Sequence, residues 1–243
     1  MAEVLDHLQI GIFVDPNCFV PDIIGVYTAF CDAPNCDIHF IWKHTDPWSN
    51  QARTAGVLHP FPIHATMTFA DCPQNLDVLC VGASTIADIL NDEESLAFLS
   101  DRGSRAKYII GICTGSLTLA AAGLLTGYRA TTNFQAIEAL APFGAIPVAG
   151  GHVVVDRNRF TAGPVAGSFD AGLMVLAQLR GEEAAKEAEL AMEYAPHPPF
   201  GTGSPELAGS ELTQKLMQRY EPFSNTFREA VDKAVKRLLV AKT

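Results

Sequence analysis

The sequence has few basic residues and no long hydrophobic run. Lys and Arg together number 17 against 27 Asp and Glu, which leaves a net charge of −10 at pH 7. Because phosphate contacts need clustered Lys and Arg, this acidity argues against nucleic acid or an anionic membrane surface as a partner. No apolar stretch reaches the roughly 20 residues that span a bilayer. We expect neither nucleic acid nor a membrane as a partner.

Paired cysteines, clustered histidines and a signal peptide are missing as well. The six cysteines form no CxxC pair and show no repeated spacing, and the seven histidines show no ligand-like spacing. The N-terminus lacks the basic segment and cleavage site typical of a signal peptide. Reduced thiols in a cytosol therefore fit better than a disulfide framework. We expect a cytoplasmic protein without a metal site.

Apolar strand patterns alternate with helical patterns along the chain. Hydrophobic residues make up 48% of the sequence and charged residues 18%, which is typical of a globular protein. The patterns typical of buried strands cover residues 8–14, 38–43, 75–84 and 107–113. Those typical of helices cover residues 22–31, 86–101, 116–125, 134–141, 168–180 and 182–193. This alternation predicts an α/β fold with a mostly parallel sheet covered on both faces.

The second half of the chain adds a predicted hairpin and a closing helix. Residues 145–163 indicate strands or a hairpin, and a Pro- and Gly-rich loop covers residues 194–209. An amphipathic helix follows over about 210–243. Without a break in composition, we predict one domain over residues 1–243, with this last helix packed on the body or on a dimer partner.

The stretch IIGICTGSLTLAAA, residues 109–122, turns an apolar strand into a helix at Cys113. A side chain at the carboxyl end of a parallel strand faces the crevice where open α/β sheets bind ligands. The free N–H groups of the following helix favour an anion. We therefore predict a lowered pKa for the Cys113 thiol and a nucleophilic role. The alternative is a buried cysteine that only fills the core.

The sequence around Cys113 resembles the nucleophile region of the ThiJ/PfpI superfamily, most closely its isocyanide (isonitrile) hydratase branch. The resemblance rests on GICTGSLTLAAAGLLTGYRATTNFQAIEALAPFGAIPV and on EYAPHPPFGTGSPELA at residues 193–208, and it covers nearly the whole chain. It implies a flavodoxin-like three-layer sandwich and a homodimeric, cofactor-free cysteine enzyme.

The resemblance also implies an acidic partner for the thiol. Asp22 occupies the matching position in the first strand–helix connection, and Asp15 nearby is a second candidate. Asp22 directly follows Pro21 and is also a plausible helix cap. Two anions repel each other, so we predict that Cys113 and Asp22 share one proton and titrate as a coupled pair.

The implied reaction is the hydration of an isocyanide to an N-substituted formamide through a thioimidate on Cys113. Asp22 serves as the general acid and base, and Thr114 is expected to hydrogen-bond it. Backbone N–H groups of Thr114 and of the turn at residues 82–84 would stabilise developing charge. The predicted substrate-binding residues are Gly82, Ala83, Ser84, Asn133, Phe134 and Val165.

Three departures from the superfamily pattern affect the substrate. The turn reads Val81-Gly82-Ala83-Ser84 where relatives commonly have IPGG, so side chains enter a pocket that is usually bare backbone. Asn133 stands where many relatives have a His. A Cys–His dyad is therefore not available at this position, which argues against a protease-like function. Pro164 stiffens the loop before Val165.

Two other functions remain open at this level. One is a different addition–elimination by the same Cys–Asp pair, such as a hydratase, dehydratase, cyclase or glyoxalase-like step on a natural-product intermediate. The other is a non-catalytic stress sensor or chaperone in which the Cys113 thiol is oxidised.

Overall fold

The computed structural model describes residues 6–49, 53–54, 57–58, 61–150 and 152–240. The strands of the described chain are β1 Leu8–Phe13, β2 Cys36–Trp42, β3 Trp48–Ser49, β4 Arg53–Thr54, β5 Val57–Leu58, β6 Pro62–Ile63, β7 Met67–Thr68, β8 Val78–Val81, β9 Tyr108–Ile112, β10 Arg129–Ala130, β11 Ile146–Pro147, β12 Val154–Asp156 and β13 Arg159–Ala162.

The helices alternate with these strands. They are α1 Pro21–Cys31, α2 Ile86–Ile89, α3 Glu93–Arg105, α4 Gly115–Ala121, a 3₁₀ helix at Phe134–Phe143, α5 Ala166–Arg180, α6 Glu182–Ala191 and α7 Pro205–Val240. Within the described residues, no helix is both long enough and apolar enough to cross a bilayer.

Seven strands form one sheet in the order β12-β13-β9-β8-β1-β2-β7. Every neighbouring pair in it is parallel except β12 with β13, which form an antiparallel pair. Helices α1, α5 and α6 pack together on one side, and α3, α4 and α7 contact one another or the 3₁₀ helix on the other. This confirms the predicted flavodoxin-like fold with a mostly parallel sheet.

The core follows from the composition of the central strands. β1, β8 and β9 are neighbours, and their aliphatic side chains are buried because helices cover both faces. The register pairs Ile12 with Cys80 and Cys80 with Ile110. Since β1, β8 and β9 are parallel, their carboxyl ends meet at one edge, and the loops that follow them come together there.

Some element boundaries differ from the sequence-based expectation. The segment 134–141, predicted as a helix, is a 3₁₀ helix that extends through Pro142 to Phe143. Helix α4 ends at Ala121, short of the predicted 125, because the chain turns at Gly123 with a φ of 80°. Helix α7 begins at Pro205, inside the predicted loop, and breaks at Gly209.

The last part of α7 packs on its own chain. Ala230, Val231 and Ala234 are buried, and α7 contacts α2, α4 and the 3₁₀ helix. Leu207 and Leu212 near its beginning are exposed. The final residues of the predicted 210–243 segment, 241–243, lie outside the described residues.

Candidate active site

Cys113 lies on a sharp turn between β9 and α4. Its φ of 53° is in the left-handed region, which a side chain rarely adopts. The turn is held at both ends, because the Cys113 N–H donates to the Ala162 carbonyl (2.9 Å) and its carbonyl accepts from the Thr132 hydroxyl (2.6 Å). Gly115 permits this approach, since a β-carbon there would lie 2.1 Å from the Val81 carbonyl oxygen. The strand thus presents the thiol on a fixed elbow.

Asp22 is fully buried at the start of α1, in the connection after β1. One carboxyl oxygen accepts from the Val165 N–H at 2.8 Å and the other from the Ala83 N–H at 3.2 Å. The same carboxyl is close enough to the Cys113 thiol for each group to shift the pKa of the other. A β-carbon on Gly82 would lie 3.2 Å from the Asp22 β-carbon, so glycine there lets the turn approach α1. The parallel β1, β8 and β9 therefore bring Asp22 to Cys113 from about ninety residues away.

The electrostatics of this pair correct one expectation. We predicted a lowered pKa for Cys113, but burial and the neighbouring Asp22 carboxylate raise that pKa well above its usual range. The N–H of Thr114 bonds the sulfur and acts in the opposite direction, but α4 has only seven residues and contributes a short dipole. Burial also raises the pKa of Asp22, to about 6, although the Val165 and Ala83 N–H groups oppose this.

The consequence is a coupled site. The fully buried Asp22 and the half-buried Cys113 each resist ionisation, and the ionised form of one disfavours that of the other. No cation pairs with Asp22 among its hydrogen-bond partners in the described chain. The arrangement suits a single negative charge that moves between the sulfur and the carboxyl as a proton is transferred.

Thr114 follows the thiol directly. Its backbone N–H points at the Cys113 sulfur. The expected bond from its hydroxyl to Asp22 is absent: the Thr114 Oγ1 atom is buried and has no hydrogen-bond partner among the described residues. That hydroxyl is therefore available to a ligand or to water.

The turn at residues 82–84 was predicted to stabilise charge on a substrate, but its polar groups bind two aspartates of the chain. Its Ala83 N–H is not free to stabilise a substrate charge, because it donates to Asp22. The Ser84 hydroxyl donates to Asp15 at 2.8 Å. The turn thus supports the carboxyl of Asp22.

Asn133 and Phe134 directly follow Thr132, which binds the backbone of Cys113. The Thr132 hydroxyl is 2.6 Å from the Cys113 carbonyl and 3.1 Å from the Asn133 side-chain oxygen. The Asn133 amide donates to Gln135 at 2.7 Å. Phe134 begins the 3₁₀ helix and is 37% exposed, so part of its ring is accessible.

Val165 precedes α5 and contacts Asp22. Its φ of 54° and ψ of −85° are strained for a β-branched residue. This conformation directs its N–H at Asp22, while the side chain remains 40% exposed. Pro164, just before it, is exposed.

Asp15, the second acidic candidate, is engaged elsewhere. It is buried, and its side chain accepts from the Ser84 hydroxyl and from the Asn17 N–H. Burial raises its pKa to about 6. Asp22, and not Asp15, is the carboxyl that acts on Cys113. Asp22 is also the residue at the position that the family resemblance implied.

Sequence reasoning missed Thr132 and Ala162, which hold the two ends of the Cys113 peptide. Thr131 and Thr132 follow the short strand β10 and are buried, and two consecutive threonines after a strand were the only visible signal. Within the described residues, no group of three or more His, Cys, Asp and Glu side chains is arranged to hold a metal ion.

The chain is similar to known proteins over most of its length. The model of the DJ-1/PfpI family matches residues 49–178. Isonitrile hydratase from Pseudomonas putida is 37% identical over 232 residues, which are 95% of this chain and 98% of that protein. An HTH-type transcriptional regulator from Pseudomonas aeruginosa, GbdR, is 30% identical over only 91 residues, 25% of its length.

The fold is also similar to those of solved structures. A ThiJ/PfpI family protein from Pseudomonas syringae superposes with a TM-score of 0.85 at 38% identity, covering 93% of this chain and 91% of that one. DJ-1beta from Drosophila melanogaster has a TM-score of 0.64 at 16% identity over 78% of this chain and 99% of its own, which shows a shared fold.

Proposed function

Because this chain belongs to the DJ-1/PfpI family, we propose that it is an isocyanide hydratase. Such an enzyme is a lyase of the hydro-lyase type, which adds water to R–N≡C and releases an N-substituted formamide. The observation that carries the proposal is the buried Asp22 carboxyl against the Cys113 thiol. Hydration of an isocyanide needs a nucleophile and a proton carrier at the same carbon, and this pair provides both.

The first step joins Cys113 to the substrate. Asp22 accepts the thiol proton while the sulfur attacks the terminal carbon of R–N≡C. Asp22 then delivers that proton to the same carbon, which gives the thioimidate R–N=CH–S. Since the Asp22 pKa is raised to about 6, the carboxyl can hold and release a proton near neutral pH.

The second step returns the thiol. Water adds to the thioimidate carbon, and one of its protons passes to the nitrogen. The carbon–sulfur bond then breaks, Cys113 recovers a proton, and R–NH–CHO leaves. We assign to the Thr114 hydroxyl, which lacks a partner among the described residues, the task of holding the attacking water.

We assign the substituent R to the exposed surfaces beside the thiol. Phe134 and Val165 are each partly exposed and apolar, at the starts of the 3₁₀ helix and of α5. They favour an apolar alkyl or aryl group. Asn133 offers a carboxamide at the same edge, while Gly82, Ala83 and Ser84 shape the site through Asp22.

We also propose a cytoplasmic homodimer. Cys31, Cys36, Cys72, Cys80 and Cys113 are free thiols, in keeping with a reducing compartment. Ile24 and Tyr27 on α1 are each 39% exposed, and such apolar surface is typical of a subunit contact. Light scattering after size exclusion should give about twice the chain mass of 26.1 kDa.

The proposed activity is tested by incubating the protein with cyclohexyl isocyanide and with an aryl isocyanide. Formamide is then followed by mass spectrometry. The wild type should form it, and Cys113→Ala should lose at least about a thousandfold in turnover. Cys31→Ala, at an exposed cysteine on α1, is the matched control and should retain full activity. A wild type that forms no formamide from either compound would refute the proposal.

A further inference from the structure

Asp15 and the turn at residues 82–84 form a second buried carboxyl site next to the active-site pair. The Asp15 Oδ1 atom accepts two hydrogen bonds, from the Ser84 hydroxyl at 2.8 Å and from the Asn17 N–H at 2.7 Å. Asp15 is 4% exposed. Nothing in the reaction above uses this carboxyl.

The same turn holds Asp22. Ala83 donates its N–H to the Asp22 carboxyl and accepts at its carbonyl from the Phe19 N–H at 2.7 Å. The next residue, Ser84, is bound by Asp15. The segment from Asp15 to Asp22 therefore hydrogen-bonds three successive groups of the turn: the Ala83 N–H, the Ala83 carbonyl and the Ser84 hydroxyl. Two carboxyls, one at each end of that segment, bind adjacent residues of one turn.

We propose that Asp15 is a positioning residue that, through the Ser84 hydroxyl, fixes the turn whose Ala83 N–H holds Asp22 against Cys113. The inference rests on the proposed role of Asp22 as proton carrier, but not on the identity of the substrate. It assigns Ser84 to the support of the site, whereas the sequence suggested a contact with substrate.

The physical consequence concerns the charge on Asp22. A hydrogen bond to an ionised carboxylate lowers its pKa, and the Ala83 N–H acts on Asp22 in this direction. If the turn moves away, this N–H is lost and the Asp22 carboxyl stays protonated to higher pH. Thiol deprotonation by Asp22 then needs a higher pH as well.

Within the described part of the chain, the ionisable groups that act on Asp15 are two aspartates, and those near Asp22 are two thiols. Asp88 on α2 and Asp92 before α3 face Asp15 and disfavour its ionisation. Asp88 is bound by the Asn17 side chain, and Asp92 is paired with Lys43. Around Asp22 the neighbouring titratable groups are the thiols Cys113 and Cys80.

The test is a pH titration of the Asp22 carboxyl carbon by ¹³C NMR in protein labelled at aspartate, with the signal assigned from Asp22→Asn. Ser84→Ala and Asp15→Ala should each raise the Asp22 midpoint by about half a pH unit. Asp15→Asn keeps an oxygen acceptor for Ser84 and should lie closer to the wild type than Asp15→Ala does. This readout needs no isocyanide, so it remains decisive even if the proposed function fails.

Turnover gives a second readout. With an isocyanide substrate, Ser84→Ala should lower kcat about three- to tenfold with little change in KM, whereas loss of a substrate contact would raise KM. Ser95→Ala is the matched control, because Ser95 also donates to an aspartate at 2.8 Å, at the start of α3. It should leave the Asp22 midpoint unchanged.

Two results would overturn the proposal. One is an Asp22 midpoint in Ser84→Ala and Asp15→Ala that equals the wild-type value. The other is an equal shift in Ser95→Ala. If Ser84→Ala does not fold, the comparison of Asp15→Ala with Asp15→Asn decides by the same criterion.

Discussion

Replacing Asp22 by Asn should separate the reactivity of Cys113 from turnover. The carboxylate raises the pKa of the thiol, and it is also the proposed proton carrier. Asn removes the charge and cannot accept a proton. It also has one acceptor oxygen where Asp22 uses two, for the Val165 and Ala83 N–H groups. One of these buried N–H groups will lose its partner.

The size of each effect follows from the contacts. A unit charge about 4 Å away contributes up to about 4 kcal/mol at an effective dielectric constant of 20. A third of that, about 1.4 kcal/mol, lowers the pKa of Cys113 by one unit and raises its thiolate fraction about tenfold. Loss of a general acid–base group costs about 10² to 10⁴ in rate. The unpartnered N–H should cost about 1–3 kcal/mol in folding free energy.

Two assays measure these effects on the same preparation. Alkylation of Cys113 by iodoacetamide at pH 8, resolved by peptide mass spectrometry, should be about tenfold faster in Asp22→Asn than in the wild type. Formamide production from an isocyanide should fall by at least about a hundredfold. The buried Cys80 lies in a different peptide and serves as an internal control for unfolding.

The reasoning would be wrong in either of two cases. If Asp22→Asn turns over isocyanide at the wild-type rate, Asp22 does not carry the proton. If its alkylation is no faster than in the wild type while Cys80 remains protected, the carboxylate is not what raises the thiol pKa.

Three further predictions concern stability. Gly115→Ala puts a β-carbon 2.1 Å from a backbone carbonyl oxygen and should lower the free energy of unfolding in urea by more than about 2 kcal/mol. Gly203→Ala is the control and should leave it unchanged, because the space around Gly203 is open. The Asp15 pKa is raised to about 6, above the ordinary value, so its contribution to stability is present below about pH 4 and lost as the pH rises through 6. Asp15→Asn should therefore raise the unfolding free energy by about 2–3 kcal/mol more at pH 8 than at pH 4, and an equal effect at both pH values would contradict this. Ala234→Glu buries a charge on the packed face of α7 and should lower the melting temperature by several degrees, whereas Lys233→Glu on the exposed face should not.

The apolar runs of the sequence were sufficient to predict the parallel sheet and the position of Cys113 at the end of β9. Their length, their β-branched content and the small residues after them are local properties, and local properties decide which segments become buried strands. The fold class, the central strands and the hairpin of β12 and β13 were predicted for this reason. The early end of α4 was not, because it depends on a single residue, Gly123, within helix-forming sequence.

The strand–helix turn at Cys113 and the net negative charge were predictable from the sequence, and the family resemblance predicted Asp22 as the partner of the thiol. How these residues interact depends on contacts between distant parts of the chain. The direction of the Cys113 pKa depends on burial and on a carboxylate far away in the chain, and neither is encoded near the cysteine. The Ala83 N–H is used by Asp22 and the Ser84 hydroxyl by Asp15 because parallel strands bring three separate loops to one edge of the sheet. Desolvation and long-range hydrogen bonding are properties of that assembled edge.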